Sequence, residues 1–140
     1  MVSKEKIQQK FALLEDYLNT LQKISQTPVD QFLRDKILIG SAKYYIQVSI
    51  ECCLDVAHHI ISAERFRAPS DYADSFRILE EQGMLDKDLM LRLQQMAKFR
   101  NRLVHLYGEI DNQYIFKILS SDLEDFRLFE KTVIERFLDL

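Results

Sequence analysis

Apolar residues recur every three or four positions along almost the whole chain, the repeat of α-helices that each turn one face to a core. Ile7, Phe11, Leu14, Leu18 and Leu21 form one narrow seam, and Ser3 stands where it can cap that first helix. The segment "QTPVD" around Pro28 breaks the pattern. A second, long helix is expected from about Asp30 to Glu64. Its stretch "ILIGSAKYYIQVSIECCLDVAHHII" is apolar on more than one face, so it should be covered on several sides. In so short a chain, one of those sides could be a second subunit. "RFRAPSD" reads as a connector, with Pro69 and Ser70 beginning a short third helix that Gly83 ends. Asp86 is placed to cap a fourth helix, "KDLMLRLQQMAKFRNRLVH", which Gly108 and "EIDN" terminate. A short ordered piece, "QYIFKIL", follows. Ser121 with Glu124 reads as a capping box for a last helix ending near Leu140. The pattern predicts an all-α, up-and-down bundle, with residues 1–140 as a single domain.

Composition narrows this little. With 47% apolar residues, three Gly and two Pro in 140 residues, disorder and β-rich folds are both disfavoured. A net charge of −3 argues against a generic polyanion binder but leaves room for a local basic cleft. No apolar run approaches the roughly 18 residues that suggest a membrane span. The opening "MVSKEKIQQKF" has no apolar leader core, so a cytoplasmic protein without membrane attachment is expected. Cys52 and Cys53 are adjacent and point in different directions on a helix, which removes a disulfide framework. Three scattered His complete no zinc ligand set. No metal or other cofactor is expected, and both thiols read as small apolar residues.

Candidate chemistry concentrates in "RNRLVHLY", residues 100–107. Leu89, Leu93, Met96, position 100 and Leu103 keep the seam of the fourth helix, yet position 100 is Arg100. His105, five residues on, falls about 140° away on an ideal helix. Asn101 lies four before His105 and shares its face; Tyr107 returns toward Arg100 if the helix persists. Each residue has an ordinary structural explanation. Arg100 could form an ion pair with Glu51 or Asp55, His105 could meet the negative end of a helix, and Tyr107 could be half-buried packing. Together they allow another role. Arginine grips a phosphate through parallel hydrogen bonds, histidine exchanges protons near neutral pH, and Asn101 could hold the imidazole in one tautomer. That set suits metal-free phosphodiester cleavage in RNA, in which the ribose 2′-hydroxyl attacks and Arg stabilises the developing charge. The Arg-x4-His spacing alone recurs by chance.

"KFRNRLVHLYGEID" also resembles the Rx4HxY signature of the HEPN-domain toxins called HepT, partners of MntA-type minimal nucleotidyltransferases. "YYIQVSIECCLDVAHHIIS", "APSDYADSFRILEEQGML" and "LEDFRLFEKTVIERFL" are similar to that family's long second helix, middle segment and closing helix. The resemblance covers roughly residues 30–140. It implies a HEPN bundle of four to five main helices that forms a homodimer, with two such motifs facing across a cleft. Lys98, Arg100 and Arg102 would double their charge there. It further implies a metal-independent endoribonuclease toxin, with Arg100 binding phosphate, His105 as acid–base and Tyr107 accepting AMP from the antitoxin. The bulk and charge of AMP would then block RNA. Higher hetero-oligomers with the antitoxin are also possible under the resemblance.

Glu51 and Asp55 could orient Arg100 or be purely structural. His58 and His59 read as packing or interface residues; Arg65 and Arg67 as a solvated connector or a basic rim for RNA. Two rival readings stand beside the ribonuclease. In one, a non-catalytic subunit docks a minimal nucleotidyltransferase or binds nucleotide; in the other, the polar cluster only staples a dimer.

Overall fold

The computed structural model describes residues 1–106 and 109–138. Its elements are α1 (Lys4–Ser25), α2 (Val29–Leu33), α3 (Lys36–Ala63), α4 (Tyr72–Glu81), α5 (Lys87–His105), α6 (Asn112–Lys117), a π-helical turn (Ile118–Asp122) and α7 (Leu123–Phe137). The expected all-α bundle is what the chain forms. α5 ends at His105, and Tyr107 and Gly108, the expected terminator, lie outside the described residues.

The predicted seam of α1 is buried in full, and Ser3 accepts the Lys6 amide as an N-cap at 3.2 Å. The single helix expected from Asp30 to Glu64 is instead two. Asp35 is extended, and its carboxylate accepts the amides of Ile37 and Leu38 at 3.0 and 3.1 Å, so a fresh helix starts at Lys36. The hydrophobic period runs through this break because α2 also buries an aromatic, Phe32. α4 starts two residues beyond the expected Pro69 and Ser70. Asp71 is its cap, accepting the Asp74 amide at 2.7 Å. The capping box of Ser121 and Glu124 does not form. α6, the π-helical turn and α7 follow one another as helical chain, so no helix start exists there to cap; the Ser121 hydroxyl donates to the Lys117 carbonyl instead.

α3 is the central element. Ile46, Ile50, Cys53, Val56, Ala57 and Ile60 are buried against neighbours within the same chain, which accounts for most of its apolar excess. Both cysteines are buried as expected, and burial pushes the Cys52 thiol up to about 11. Phe129 of α7 meets Phe11 of α1 and Phe76 of α4 edge-on, with ring centroids 6.3 and 5.7 Å apart. Among the described residues, no helix is long and apolar enough to cross a membrane.

α3 and α4 end alike. Gly83 (φ +74°) follows α4 with the Met84 amide donating to the Leu79 carbonyl; Arg65 (φ +57°) follows α3 with the Phe66 amide donating to that of Ile61. Arg65 therefore holds the left-handed conformation that glycine adopts without strain. Arg65→Gly is expected to stabilise the fold by about 1 kcal/mol, read as a higher denaturation midpoint in urea. Gly83→Ala should shift it the opposite way.

His59 ties the start of α1 to α3, because its Nε2 accepts the Ser3 amide at 2.8 Å. Burial, then Lys6 and the N-terminal amine, lower its affinity for a proton below the ordinary 6.5. Burial does the same to His58. Folding favours both rings neutral, so the stability they contribute is present above pH 6.5 and is lost as pH falls below it. His59→Gln, which keeps an acceptor and removes one of the two titrations, should make thermal stability fall less steeply between pH 7 and pH 5 (about the range where histidine charges), with His58 supplying the remaining slope.

Candidate active site

α5 presents two chemically different faces. Leu89, Leu93, Ala97 and Leu103 point into the core, and Arg100 falls within their stripe. Lys98, Arg102 and His105, spaced four and three apart, form an exposed row on another side. The expected separation of Arg100 from His105 is therefore real in this chain: one is drawn inward, the other faces outward.

Arg100 is held from three directions. Its Nε donates to Glu51 Oε2 at 2.8 Å, and its Nη2 lies 2.7 Å from the same oxygen in an ion pair. Its Nη1 lies 3.4 Å from Asn101 Oδ1, and its guanidinium sits 5.3 Å from the ring centroid of Tyr72. Glu51 is itself steadied by Gln47 Nε2, which donates to the same oxygen at 3.2 Å. The side chains of Arg100 and Glu51 keep 19% and 31% of their exposure, so the pair is only partly desolvated. With Nε and Nη2 against Glu51 and Nη1 beside Asn101, the outer Nη1–Nη2 edge is the part of the fork left open, the edge with which a guanidinium can meet an anion. Glu51, Leu54, Asp55, His58, Tyr72 and Arg100 line a cleft of about 300 Å³.

Glu51 is thus the carboxylate that pairs with Arg100. Asp55 lines the same cleft but pairs with Lys10 of α1 at 2.8 Å, since one further turn of α3 carries it past Arg100 toward α1. Asn101 faces Arg100, and among the described residues no hydrogen bond joins it to His105, so a role in setting the imidazole tautomer has no support in this geometry. His58 is a packing residue, with Nε2 2.9 Å from the buried Ser75 hydroxyl. It also reaches the cleft. Arg67 is no free basic rim. It chelates Asp74 at 2.7 and 2.9 Å and Glu81 at 2.9 and 3.0 Å, and holds both carboxyls below their usual range. Tyr107 lies outside the described residues. Tyr72 was not anticipated. It opens a separate helix, and only the packing of α4 beside α5 brings it over Arg100, so periodicity along either segment carries no sign of it. Among the described residues, no group of three or more His, Cys, Asp or Glu is placed to hold a metal ion.

The chain folds as an all-helical bundle, and comparison with known proteins gives its family. Residues 14–133 match the family model described as "Ribonuclease HepT-like", and the chain belongs to that family. It is 28% identical over 124 residues to the mRNA nuclease HepT of Shewanella oneidensis, covering 86% of this chain and 90% of that one. It is 24% identical over 127 residues to the tRNA nuclease HepT of Aphanizomenon flos-aquae, covering 91% and 86%. In structure it is similar to a tri-AMPylated Shewanella oneidensis HEPN toxin solved in complex with its MNT antitoxin. The TM-score is 0.87 at 27% identity, over 94% of this chain and 98% of that one.

Removing Glu51 would leave a partly buried guanidinium without its counter-charge. Glu51→Ala is expected to cost about 1–3 kcal/mol of stability. In combination with Arg100→Met it should cost less than the sum of the single changes, a coupling measurable by a double-mutant cycle in chemical denaturation.

Proposed function

We propose that this chain is a metal-independent endoribonuclease and the toxin of a pair whose antitoxin is an MntA-type nucleotidyltransferase. The observation that carries the reading is the setting of Arg100. It replaces an apolar residue on the buried seam of α5, and Glu51, Asn101 and Tyr72 hold its free end toward a cleft. Family membership and relatives that act on mRNA and tRNA support RNA as the substrate.

In this mechanism the scissile phosphate meets the open end of the Arg100 fork. The ribose 2′-oxygen attacks phosphorus as its proton passes to His105, the bond from phosphorus to the 5′-oxygen breaks, that oxygen takes up a proton and leaves as a hydroxyl, and a 2′,3′-cyclic phosphate remains; Arg100 stabilises the charge that accumulates on the equatorial oxygens. Lys98 and Arg102, on the His105 face, add attraction for the backbone. Because Arg100 and His105 leave α5 on different sides, a cleft shared by two copies is the natural way to bring them to one phosphate. A row of α3 supports that homodimer. Ile37 and Tyr44 remain 80% and 56% exposed, and with Glu51 they follow a seven-residue spacing that leads to the Arg100 cleft. Tyr107, two residues beyond His105, is the proposed acceptor of AMP; the added bulk and negative charge would repel RNA there.

The test is cleavage of mixed cellular RNA and tRNA by purified protein with unmodified Tyr107, in excess EDTA, beside His105→Ala. Cutting by the parent alone is the expected result, with a loss of roughly a hundredfold or more in rate for the variant. Equal cutting by both would remove His105 from the mechanism. No cutting by either would favour the non-catalytic subunit that docks a nucleotidyltransferase or binds nucleotide.

A further inference from the structure

A second feature begins where the His105 row passes Arg102. The Arg102 guanidinium lies 5.8 Å from the ring centroid of Phe99. Phe99 meets Tyr114 of α6 edge-on at 5.1 Å, and Lys117 Nζ sits 5.6 Å from the Tyr114 centroid. The result is a ladder of cation, ring, ring and cation that crosses from α5 to α6. Phe99 is 4% exposed and serves as the inner rung, whereas Tyr114 is 37% exposed and presents ring surface to solvent. Phe99, Tyr114 and Lys117 also line a cavity of about 210 Å³ whose wall includes the apolar Ile46, Ile50 and Met96.

The charge around the ladder favours an anionic strand. Two carboxylates line the cavity, and each has a cation: Asp125 with Arg92 at 2.8 Å and Asp122 with Lys117 at 3.5 Å. Among the described residues, Lys98 and Arg102 have no carboxylate within ion-pair distance, so the patch keeps positive charge in a chain of net −3. Cations on either side of an exposed ring are what unpaired nucleotides require. Phosphates take the cations, and a base stacks on the ring whatever its identity.

We propose that this ladder binds the single-stranded RNA flanking the scissile phosphate, with Tyr114 as the stacking platform, Arg102 on the phosphate backbone at one end, Lys117, shared with Asp122, at the other, and the adjoining cavity open to one unstacked base. The proposal rests on RNA being the substrate, as argued above, and adds a strand path that leads away from His105 along α5 and onto α6. It requires recognition of unpaired bases rather than of a duplex.

The experiment is fluorescence anisotropy on His105→Ala protein, which leaves the RNA uncut, with labelled oligouridylates of four and twelve nucleotides, lengths spanning about the range of common single-strand sites. The longer strand should bind more tightly. Tyr114→Ala and Arg102→Gln should each weaken it by roughly tenfold, with Tyr114→Phe close to the parent and the shorter strand little affected. A duplex of the same length should compete poorly. Crosslinking of 4-thiouridine-substituted RNA to the unaltered ladder, mapped by mass spectrometry, should reach Tyr114, and it decides the matter should Tyr114→Ala fail to fold. Unchanged affinity in folded Tyr114→Ala, equal competition by duplex, or crosslinks that avoid α6 would overturn the proposal. So would variants that lose only nucleotidyltransferase binding, which would make the ladder a protein-docking face. Strand binding through Tyr114 without cleavage by the parent protein would count against the ribonuclease and leave the track standing. Cleavage without any effect of Tyr114 would do the reverse.

Discussion

The pairing of Arg100 with Glu51 is the constraint around which the meeting of α3, α4 and α5 is arranged. A guanidinium keeps its charge, so placing one on the buried side of a helix obliges the neighbouring helix to supply an acceptor. α3 supplies it at position 51, and Gln47 one turn earlier holds the carboxylate in place. The register of α3 against α5 is therefore specified by charge as well as by packing. Tyr72 closes the other side of the guanidinium and makes the start of α4 part of the same arrangement.

The same contacts that hold Arg100 also limit what it can do. Glu51 takes the side of the fork that includes Nε, and Asn101 approaches Nη1, so an anion can be offered only the terminal edge. An arginine so oriented is poised before any ligand arrives, and little side-chain entropy remains to be lost on binding. A flexible surface arginine would carry the same charge without the direction. The exposed row on α5 works differently. Lys98, Arg102 and His105 are open to water, where a charge acts at long range and without fixed geometry. One helix thus separates a directed, partly desolvated cation from a solvated basic face.

Much of this was legible in the chain. The seam of α1, the caps Ser3 and Asp86 and the all-helical class depend on local rules, namely the helical period and the needs of free amides at helix starts. The anomaly at position 100 was visible for the same reason, since an arginine at a seam position violates that period. Glu51 and Asp55 were equal candidates as its partner, because both lie on one face of α3 and only the height of α5 beside α3 separates them. The break at Asp35 was obscured by an apolar rhythm that continues across it. The expected cap at Ser121 failed because it presumed a helix start where helical chain continues through a π-helical turn.

What the sequence by itself determined was the helices, and the inward arginine and the outward histidine on one of them. These follow from spacing along a single helix, which chain order encodes directly. What only the tertiary structure decided was which groups from separate helices meet: Glu51 rather than Asp55 on Arg100, Tyr72 over the guanidinium, Arg67 neutralised by α4, and Tyr114 beside Phe99. Those meetings depend on the rotation and axial offset of packed helices. Both are settled by how buried side chains interdigitate across the whole core, and no local stretch of sequence contains that information.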